Sequence, residues 1–376
     1  MEYFSTGRDG AETGDLVAKN CKNRFWHYIN NPWGQVKRIR LQDVWAYCLL
    51  IMLKPITCTS DLGLYELSQP GPIRCLIATT PETRSICNDP QILGTEYTRR
   101  LQRACARILS AGGFPLTENN TAVINILRGG LNFGLRDALA DAFGWKAHTT
   151  CFISAQRARD TADPEEWHIT ENAYRKVYFP QEPRLVIGDV VATGTSLRFA
   201  LEELLKSAEA ENASLRSILF FTYGGPRAME ILNEVDALCR RKFPDYEVTT
   251  LVFLEGCFQV PDLHSRLTIR LTGTDLLRTG AIMAPEFIES QYEDPAYPLE
   301  RCTIYDAGSR AFWIREYAAD VLNYWKQVLD LAVHGVTYAD YLAQRFPTLD
   351  ATRLPTDISL RDLAIRQIGR MQPFAL

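Results

Sequence analysis

The sequence predicts an α/β fold in which a parallel, twisted sheet is flanked by helices. Apolar runs of strand length alternate along the chain with segments whose apolar residues recur at helical spacing. This alternation is typical of parallel sheets, because parallel strands need crossover connections and are buried on both faces. The 376 residues, 46% of them apolar, are enough to build a large hydrophobic core.

The strands and helices follow from local patterns of apolar residues. A helix is predicted near residues 41–53, and a loop-like stretch rich in Thr, Ser, Gly and Pro extends from there to residue 72. Apolar residues on one face predict a second helix at 95–111, which two glycines and a proline end. The other predicted elements are strands at 122–127, 149–154, 184–188, 217–222 and 248–254, and helices near 131–143, from 197 onward, near 312–331 and near 360–368.

These patterns divide the chain into three parts. Residues 1–72 are predicted to form a partly helical N-terminal extension, residues 73–312 the sheet domain, and residues 313–376 a C-terminal helical extension. Within the sheet domain, the segment 261–300 between the last strand and the next motif is longer than a compact domain needs. We interpret this segment as an insertion.

Composition excludes several classes of protein. The formal net charge of -4 argues against a protein whose main partner is nucleic acid. The N-terminus lacks the pattern of a secretory signal, and no apolar run is long enough to span a bilayer. The ten cysteines are scattered without the spacing of a metal knuckle. We therefore expect a cytoplasmic protein with reduced thiols and no membrane partner.

The segment RLVIGDVVATGTS places a carboxylate and a turn of small and hydroxyl residues between a buried strand and a helix. Gly194 lets the backbone approach a ligand closely, while Thr193, Thr195 and Ser196 supply hydroxyl and amide groups at the positive end of the helix dipole. Asp189 is placed where a carboxylate can accept hydrogen bonds from ribose hydroxyls. These residues predict a cradle for a monophosphate, although TGTS alone is equally compatible with an ordinary capped helix.

A second turn follows the strand at 122–127. Arg128, Gly129 and Gly130 place a guanidinium and two unhindered N–H groups there, which suits pyrophosphate. Between this turn and the monophosphate cradle lies a polar segment, 154–177, whose positive charges are Arg157, Arg159, Arg175 and Lys176.

Taken together, these features resemble the type I phosphoribosyltransferases. The segment from residue 184 is similar to their signature for phosphoribosyl pyrophosphate (PRPP), an apolar strand followed by two acidic residues and an A-T-G-x-[ST] turn. Asp189 matches the second acid, whereas Gly188 stands in place of the first. The resemblance implies that Ala192 and the four residues after it contact PRPP. It also implies that segment 154–177 corresponds to the family's mobile flap, with Arg157 or Arg159 against the pyrophosphate and with Arg175 and Lys176 as weaker candidates.

Two further motifs resemble the uracil phosphoribosyltransferase group. The run I-L-R-G-G at 126–130 is similar to that group's I-L-R-A-G loop, and Y-D-A-G-S-R-A-F at 305–312 is similar to the run that closes its base pocket. The second match implies acceptor contacts from five residues. These are Tyr305, Asp306, Ala307, Gly308 and Arg310.

The resemblance implies transfer of 5-phosphoribosyl from PRPP to a small-molecule acceptor with release of pyrophosphate, as in biosynthesis or salvage. Asp189, Arg128 and Arg157 are the implied catalytic residues, since this chemistry depends mainly on positioning and charge neutralisation. Mg²⁺ is the implied cofactor, bound mainly through PRPP and weakly by Asp189. The family also implies a homodimer or a higher homo-oligomer.

The acceptor is predicted to differ from uracil. The Pro-Gly-Leu-Gly lead of the uracil pocket is replaced by residues 302–305, and Ser309 replaces an acid. The segment 283–300 is rich in acids and aromatics without Lys or Arg, which indicates a cationic or polyhydroxyl acceptor, or else a solvated lid or dimer contact. Two other functions stay open, a uracil or pyrimidine salvage enzyme and a non-catalytic PRPP-sensing protein, which Gly188 favours.

Overall fold

The computed structural model describes residues 52–127, 129–159, 167–261, 265, 267–269, 275–301 and 307–376. Nearly all of the helix predicted near 41–53 lies outside the described residues. Among the helices that the structure describes, none is long and apolar enough to cross a membrane.

The described residues form a ten-stranded mixed sheet and a separate two-stranded hairpin. The hairpin pairs β6 (Gln156–Arg159) with β7 (Trp167–Glu171), and the other strands belong to the main sheet. In chain order the strands are β1 (Leu53–Cys58), β2 (Gly63–Leu67), β3 (Arg74–Thr79), β4 (Thr121–Leu127), β5 (Thr149–Ser154), β6 (Gln156–Arg159), β7 (Trp167–Glu171), β8 (Arg175–Lys176), β9 (Arg184–Gly188), β10 (Ser217–Gly224), β11 (Val248–Gln259) and β12 (Leu277–Met283).

The centre of the main sheet is parallel, which confirms the predicted α/β class. Strands β3, β11, β10, β9, β4 and β5 lie side by side in this order, and each neighbouring pair is parallel. Of the five strands from β11 to β5 in this order, β4 comes first along the chain. Strand β5 is added on one side of it, whereas β9, β10 and β11 are added on the other. The direction of winding therefore reverses between β4 and β9, and ligands of open α/β sheets bind at the carboxyl ends of strands beside such a reversal.

Helices of the predicted periodicity connect and flank these strands. Helix α4, for example, buries Leu197, Ala200, Leu201 and Leu204 on one face, as its spacing predicts. In chain order the helices are α1 (Pro81–Asn88), α2 (Gly94–Ala111), α3 (Leu135–Phe143), α4 (Thr195–Ala210), α5 (Pro226–Lys242), α6 (Pro285–Ser290), α7 (Ala307–Phe312), α8 (Ile314–Val333), α9 (Tyr338–Arg345) and α10 (Leu360–Met371).

The loop predicted up to residue 72 is wrong for residues 53–67. This stretch contains the antiparallel strands β1 and β2, and β2 continues the main sheet by pairing with β3. Its Thr, Ser and Pro residues obscured the strand pattern in the sequence, while Leu64, Tyr65 and Leu67 are buried. The sheet is therefore continuous across the predicted boundary at residue 72.

Segment 275–301 is folded against the C-terminal helices. Strand β12 pairs with β11, and the buried carboxylate of Asp275 forms a bidentate ion pair with Arg345 of α9, with distances of 2.6 and 3.0 Å. A second ion pair joins Arg301 to Asp320 of α8 at 2.7 Å. Buried pairs of this kind need both partners, since either charge alone would be desolvated without compensation.

Candidate functional site

The two predicted phosphate loops meet at the carboxyl ends of β4 and β9. A 3-10 turn, Gly129–Phe133, follows β4, and Asp189 follows β9. A Cβ atom at Gly129 would lie 2.7 Å from Oδ1 of Asp189, and a Cβ atom at Gly130 would lie 2.9 Å from the carbonyl oxygen of Gly188. At residue 130 glycine is required because the neighbouring atom belongs to the backbone, whereas a side chain at residue 129 would displace the Asp189 carboxylate. Arg128 lies outside the described residues.

Backbone hydrogen bonds hold the Asp189 loop against β10. The N–H of Asp189 donates to the carbonyl of Phe221 at 3.1 Å, and the N–H of Val191 donates to that of Tyr223 at 3.0 Å. Ala192, a predicted PRPP contact, is 4% exposed, and Asp189 is 8% exposed. The carboxylate is therefore carried on a fixed segment of backbone at the sheet edge.

The turn before α4 has the geometry of an anion site. Gly194 has a left-handed backbone with φ of 80°, and a Cβ atom there would lie 2.3 Å from Cδ1 of Ile231, so a side chain is excluded. Among the residues that the structure describes, no side chain caps the first turn of α4. The hydroxyls of Thr193 and Thr195 lie 3.2 Å apart beside it, and Ser196 donates to the carbonyl of Ala155. An uncapped helix N-terminus offers backbone N–H groups to a phosphate.

The third motif packs against the Gly-Gly turn, which itself lies against Asp189. Helix α7 contacts the 3-10 turn Gly129–Phe133 and helix α2. Tyr305 and Asp306 lie outside the described residues, as does the side chain of Ala307. The structure therefore brings together all three segments that the sequence singled out, and the individual contacts of these acceptor residues stay predictions.

Arg310 does not fit the predicted direct contact with an acceptor. Its side chain is buried, and Nε donates to the carbonyl of Ile92 at 2.8 Å. The other two guanidinium nitrogens donate to the carbonyls of Ile86 and Asp89 at 3.0 and 2.8 Å. Aromatic rings also cover the guanidinium, that of Tyr97 at 5.0 Å among them. Arg310 instead ties α7 to the C-terminal end of α1.

The missing first acid of the PRPP signature has a steric cause. A Cβ atom at Gly188 would lie 2.5 Å from Cγ of Phe133, whose ring is fully buried. Phe133 belongs to the turn that follows β4, so its ring occupies the space into which an acidic side chain at residue 188 would point. Local sequence reasoning could not reveal this, because the two residues are far apart in the chain.

The predicted flap contains the hairpin of β6 and β7. Arg157 is opposite Ile169 in the antiparallel register, and Arg159 is opposite Trp167. Arg175, the weaker candidate, forms an ion pair of 2.6 Å with Glu203 of α4. Contacts of Arg157 and Arg159 with pyrophosphate stay predictions.

Sequence reasoning missed Glu255, which lies near the carboxyl end of β11 on the same edge of the sheet. Glu255 is fully buried, and its backbone φ of 66° is in the left-handed region. Burial raises the pKa of its carboxyl group to about 7, although hydrogen bonds from Thr79 and Thr83 act in the opposite direction. The signal that the sequence offered was an acidic residue within the apolar run of this strand.

Most acids of segment 283–300 are paired within the fold. Four of the five have intramolecular partners, two of them arginines of the C-terminal region, whereas Glu293 is exposed. The pairs are Glu286 with the hydroxyl of Tyr65, Glu289 with both terminal nitrogens of Arg353, Asp294 with Arg366, and the buried Glu300 with Nε1 of Trp325. That this segment recruits a cationic acceptor stays a prediction, and the pairing of four of its five acids reduces the negative charge available for such a contact.

A protein-only metal centre is not present in the described part of the chain, where no group of three or more His, Cys, Asp or Glu side chains could hold an ion. Asp189 is a single carboxylate beside the Gly-Gly turn. This arrangement fits a metal that is carried mainly by an anionic substrate.

Comparisons with known proteins give weak structural similarities. No protein-family model and no curated protein matches the sequence. An adenine phosphoribosyltransferase from Trypanosoma brucei is 13% identical, with a TM-score of 0.31 over 55% of this chain and 92% of that chain. A hypoxanthine-guanine phosphoribosyltransferase from L. donovani is 17% identical, with a TM-score of 0.25 over 48% and 94%. That from Bacillus anthracis is 17% identical, with a TM-score of 0.23 over 35% and 70%. TM-scores of this size do not establish a common fold.

Proposed function

We propose that this chain is a type I phosphoribosyltransferase, which moves 5-phosphoribosyl from PRPP to a small-molecule acceptor and releases pyrophosphate. The observation that carries the proposal is the contact between the Gly129 and Gly130 turn and Asp189, beside the reversal of the sheet. Ligands of open α/β sheets bind at this position. The two loops supply the groups that the two ends of PRPP require.

Each part of PRPP has a matching element. The 5′-phosphate would bind the uncapped N-terminus of α4 with the hydroxyls of Thr193, Thr195 and Ser196. The ribose hydroxyls would donate to Asp189. The pyrophosphate would bind the N–H groups of the Gly-Gly turn, together with Arg128 and a flap arginine, Arg157 or Arg159.

The reaction breaks the bond between the anomeric carbon and a pyrophosphate oxygen, and forms a bond from that carbon to the acceptor, which loses a proton. The transition state resembles an oxocarbenium ion, so the protein contributes mainly alignment and neutralisation of the leaving charge. Arg128 and Arg157 carry that positive charge. Mg²⁺, when bound through PRPP near Asp189, supplies further neutralisation.

The acceptor is proposed to be a molecule other than uracil, within an enzyme of the uracil phosphoribosyltransferase type. Ser309, which replaces an acid of that group's pocket motif, is buried, and its hydroxyl lies 3.4 Å from Glu316 rather than at an open pocket. Pyrimidine salvage is the alternative within enzymes. A non-catalytic PRPP-binding protein is the alternative outside them, and Gly188 is the residue that favours it.

The test combines binding with turnover. PRPP binding is measured by calorimetry with Mg²⁺, and pyrophosphate release is followed with uracil, other free bases, amines and aminosugars as acceptors. The Asp189→Asn variant removes the ribose carboxylate. Asp357→Asn, at an exposed residue of the C-terminal region, is the matched control.

We expect the wild type and the Asp357→Asn variant to bind PRPP equally, and the Asp189→Asn variant to lose about 2 kcal/mol of binding free energy or more. Acceptor-dependent pyrophosphate release supports the transferase. Tight PRPP binding without release on any acceptor supports the binding protein. Absence of PRPP binding by the wild type refutes both.

A further inference from the structure

Glu255 combines burial with an unfavourable backbone. Strand β11 pairs in parallel with β3 up to Leu254, and its register with β10 shifts between Phe253 and Cys257. Glu255 lies at this irregularity, and the next residue, Gly256, pairs with Met283 in the antiparallel direction. The φ of 66° lets the carbonyl of Glu255 accept a hydrogen bond from the N–H of Ala284 while its side chain turns towards α1. Left-handed non-glycine residues inside strands are rare, and they concentrate at functional sites.

The carboxylate of Glu255 lies in a cage of donors at the start of α1. The hydroxyl of Thr79 donates to Oε2 at 2.6 Å, and the N–H of Thr80 and the hydroxyl of Thr83 donate to Oε1. Arg84 donates to the hydroxyl of Thr79 at 2.8 Å. Glu255 therefore holds the first turn of α1 in addition to that helix's own capping box.

Helix α1 is also held by the segments that form the proposed site. Arg310 of the third motif donates to the carbonyls of Ile86 and Asp89 at its other end. Tyr223, at the end of β10 beside the PRPP loop, donates to the carbonyl of Thr83 at 3.1 Å. Helix α1 thus connects Glu255 to the motif that is proposed to close the acceptor pocket.

We propose that Glu255 positions helix α1 for binding of the acceptor, and that ionisation of its carboxyl group loosens this position. The inference rests on the proposed function, because it concerns the acceptor side of that site. Ionisable groups face this region from three elements: Arg84 on α1, Tyr223 on β10, and Glu286 on α6 beside Thr79. The guanidinium of Arg84 favours the ionised form of Glu255, whereas burial favours the protonated form.

The direction in which pH changes the opening of α1 follows from the burial of Glu255. A protonated Glu255 fills the cage without a desolvated charge, whereas the ionised form gains from any opening of α1 that admits water. Opening should become easier as the pH rises from about 4.5, and should level off above about 7, where the buried group is also ionised. The Glu255→Gln variant resembles the protonated form at every pH.

The experiment measures hydrogen exchange of the α1 amides at several pH values between about 5 and 8, as protection factors corrected for intrinsic exchange. The wild type is compared with Glu255→Gln and with Glu202→Gln, an exposed residue of α4. Glu255→Gly is a second variant, because glycine suits the left-handed backbone. PRPP affinity and the acceptor KM, the latter with every acceptor that supports pyrophosphate release, are measured on the same proteins.

We expect α1 protection in the wild type to fall by up to about tenfold per pH unit relative to Glu255→Gln, and to level off above about pH 7. The acceptor KM of the wild type should rise over the same range relative to Glu255→Gln, with PRPP affinity unchanged. Equal pH profiles in wild type and both Glu255 variants overturn the inference while leaving PRPP binding intact. Absence of PRPP binding by the wild type instead refutes the proposed function.

Discussion

The free energy of unfolding should depend on pH through Glu255. Burial raises the pKa of this carboxyl group from its ordinary value of 4.5 to about 7 in the folded protein. The folded state therefore holds the proton at pH values where the unfolded chain has released it. Stability contributed by this proton is fully present below about pH 4.5 and is lost as the pH rises to about 7, above which the contribution stays constant.

The size of the effect follows from the shift. About 2.5 pKa units, at 1.36 kcal/mol for each unit, correspond to about 3 kcal/mol. Glutamine at this position carries no charge at any pH, so the Glu255→Gln variant lacks this pH-dependent contribution to the free energy of unfolding. Relative to wild type, the variant should therefore gain about 3 kcal/mol of stability between about pH 4.5 and about pH 8. The comparison uses the change in stability between these two pH values. Any pH-independent cost of placing the glutamine amide among Thr79, Thr80 and Thr83 therefore cancels.

Urea unfolding followed by tryptophan fluorescence measures this difference across the pH range, with the denaturant dependence checked for each protein. Glu202→Gln on the exposed surface of α4 is the control, and its curve should run parallel to that of the wild type. If the Glu255→Gln curve also runs parallel to the wild type, the carboxyl group titrates as it does in the unfolded chain, and the reasoning from burial is refuted.

Two further predictions concern packing and charge. Gly188→Asp should lower the melting temperature strongly, because its Cβ would overlap the ring of Phe133, and a second substitution, Phe133→Ala, should recover part of the loss; no recovery would contradict the steric explanation. Asp275→Asn should cost about 3 to 5 kcal/mol in urea unfolding, because Arg345 would keep a buried, uncompensated charge. Glu289→Gln, in an exposed ion pair, should cost about 1 kcal/mol or less, and a similar loss in both variants would refute the distinction.

The central strands, and the positions of the two turns that are proposed to bind phosphate, could be predicted from sequence because their signals are local. Strands β5 and β9 have the predicted bounds, and β4 begins one residue before its prediction. Their apolar runs are buried on both faces, which produces continuous patterns. The Gly-Gly turn and Asp189 are each recognisable beside such a strand. Their contact follows once both strands are placed at the reversal of the sheet.

The features that the sequence could not predict depend on residues distant in the chain. The partners of Glu289 and Asp294 come from the C-terminal region. Acids that the sequence predicts to form a charged surface are therefore paired with arginines of the same chain. Arg310 lies in a motif that reads as a ligand contact, yet its donors are taken by backbone carbonyls of an earlier segment. Glu255 shows the converse case, because an ordinary acid in the sequence becomes unusual only through burial.

The buried ion pair between Asp275 and Arg345 also determines where the chain can be shortened. A protein truncated at residue 312, the end of the predicted sheet domain, would retain Asp275 and Arg301 but lose both of their counterions. It would also expose the apolar surface that Tyr324 and Trp325 cover. The C-terminal helices therefore complete the charge balance of the sheet domain, and a stable fragment would have to extend past Arg345.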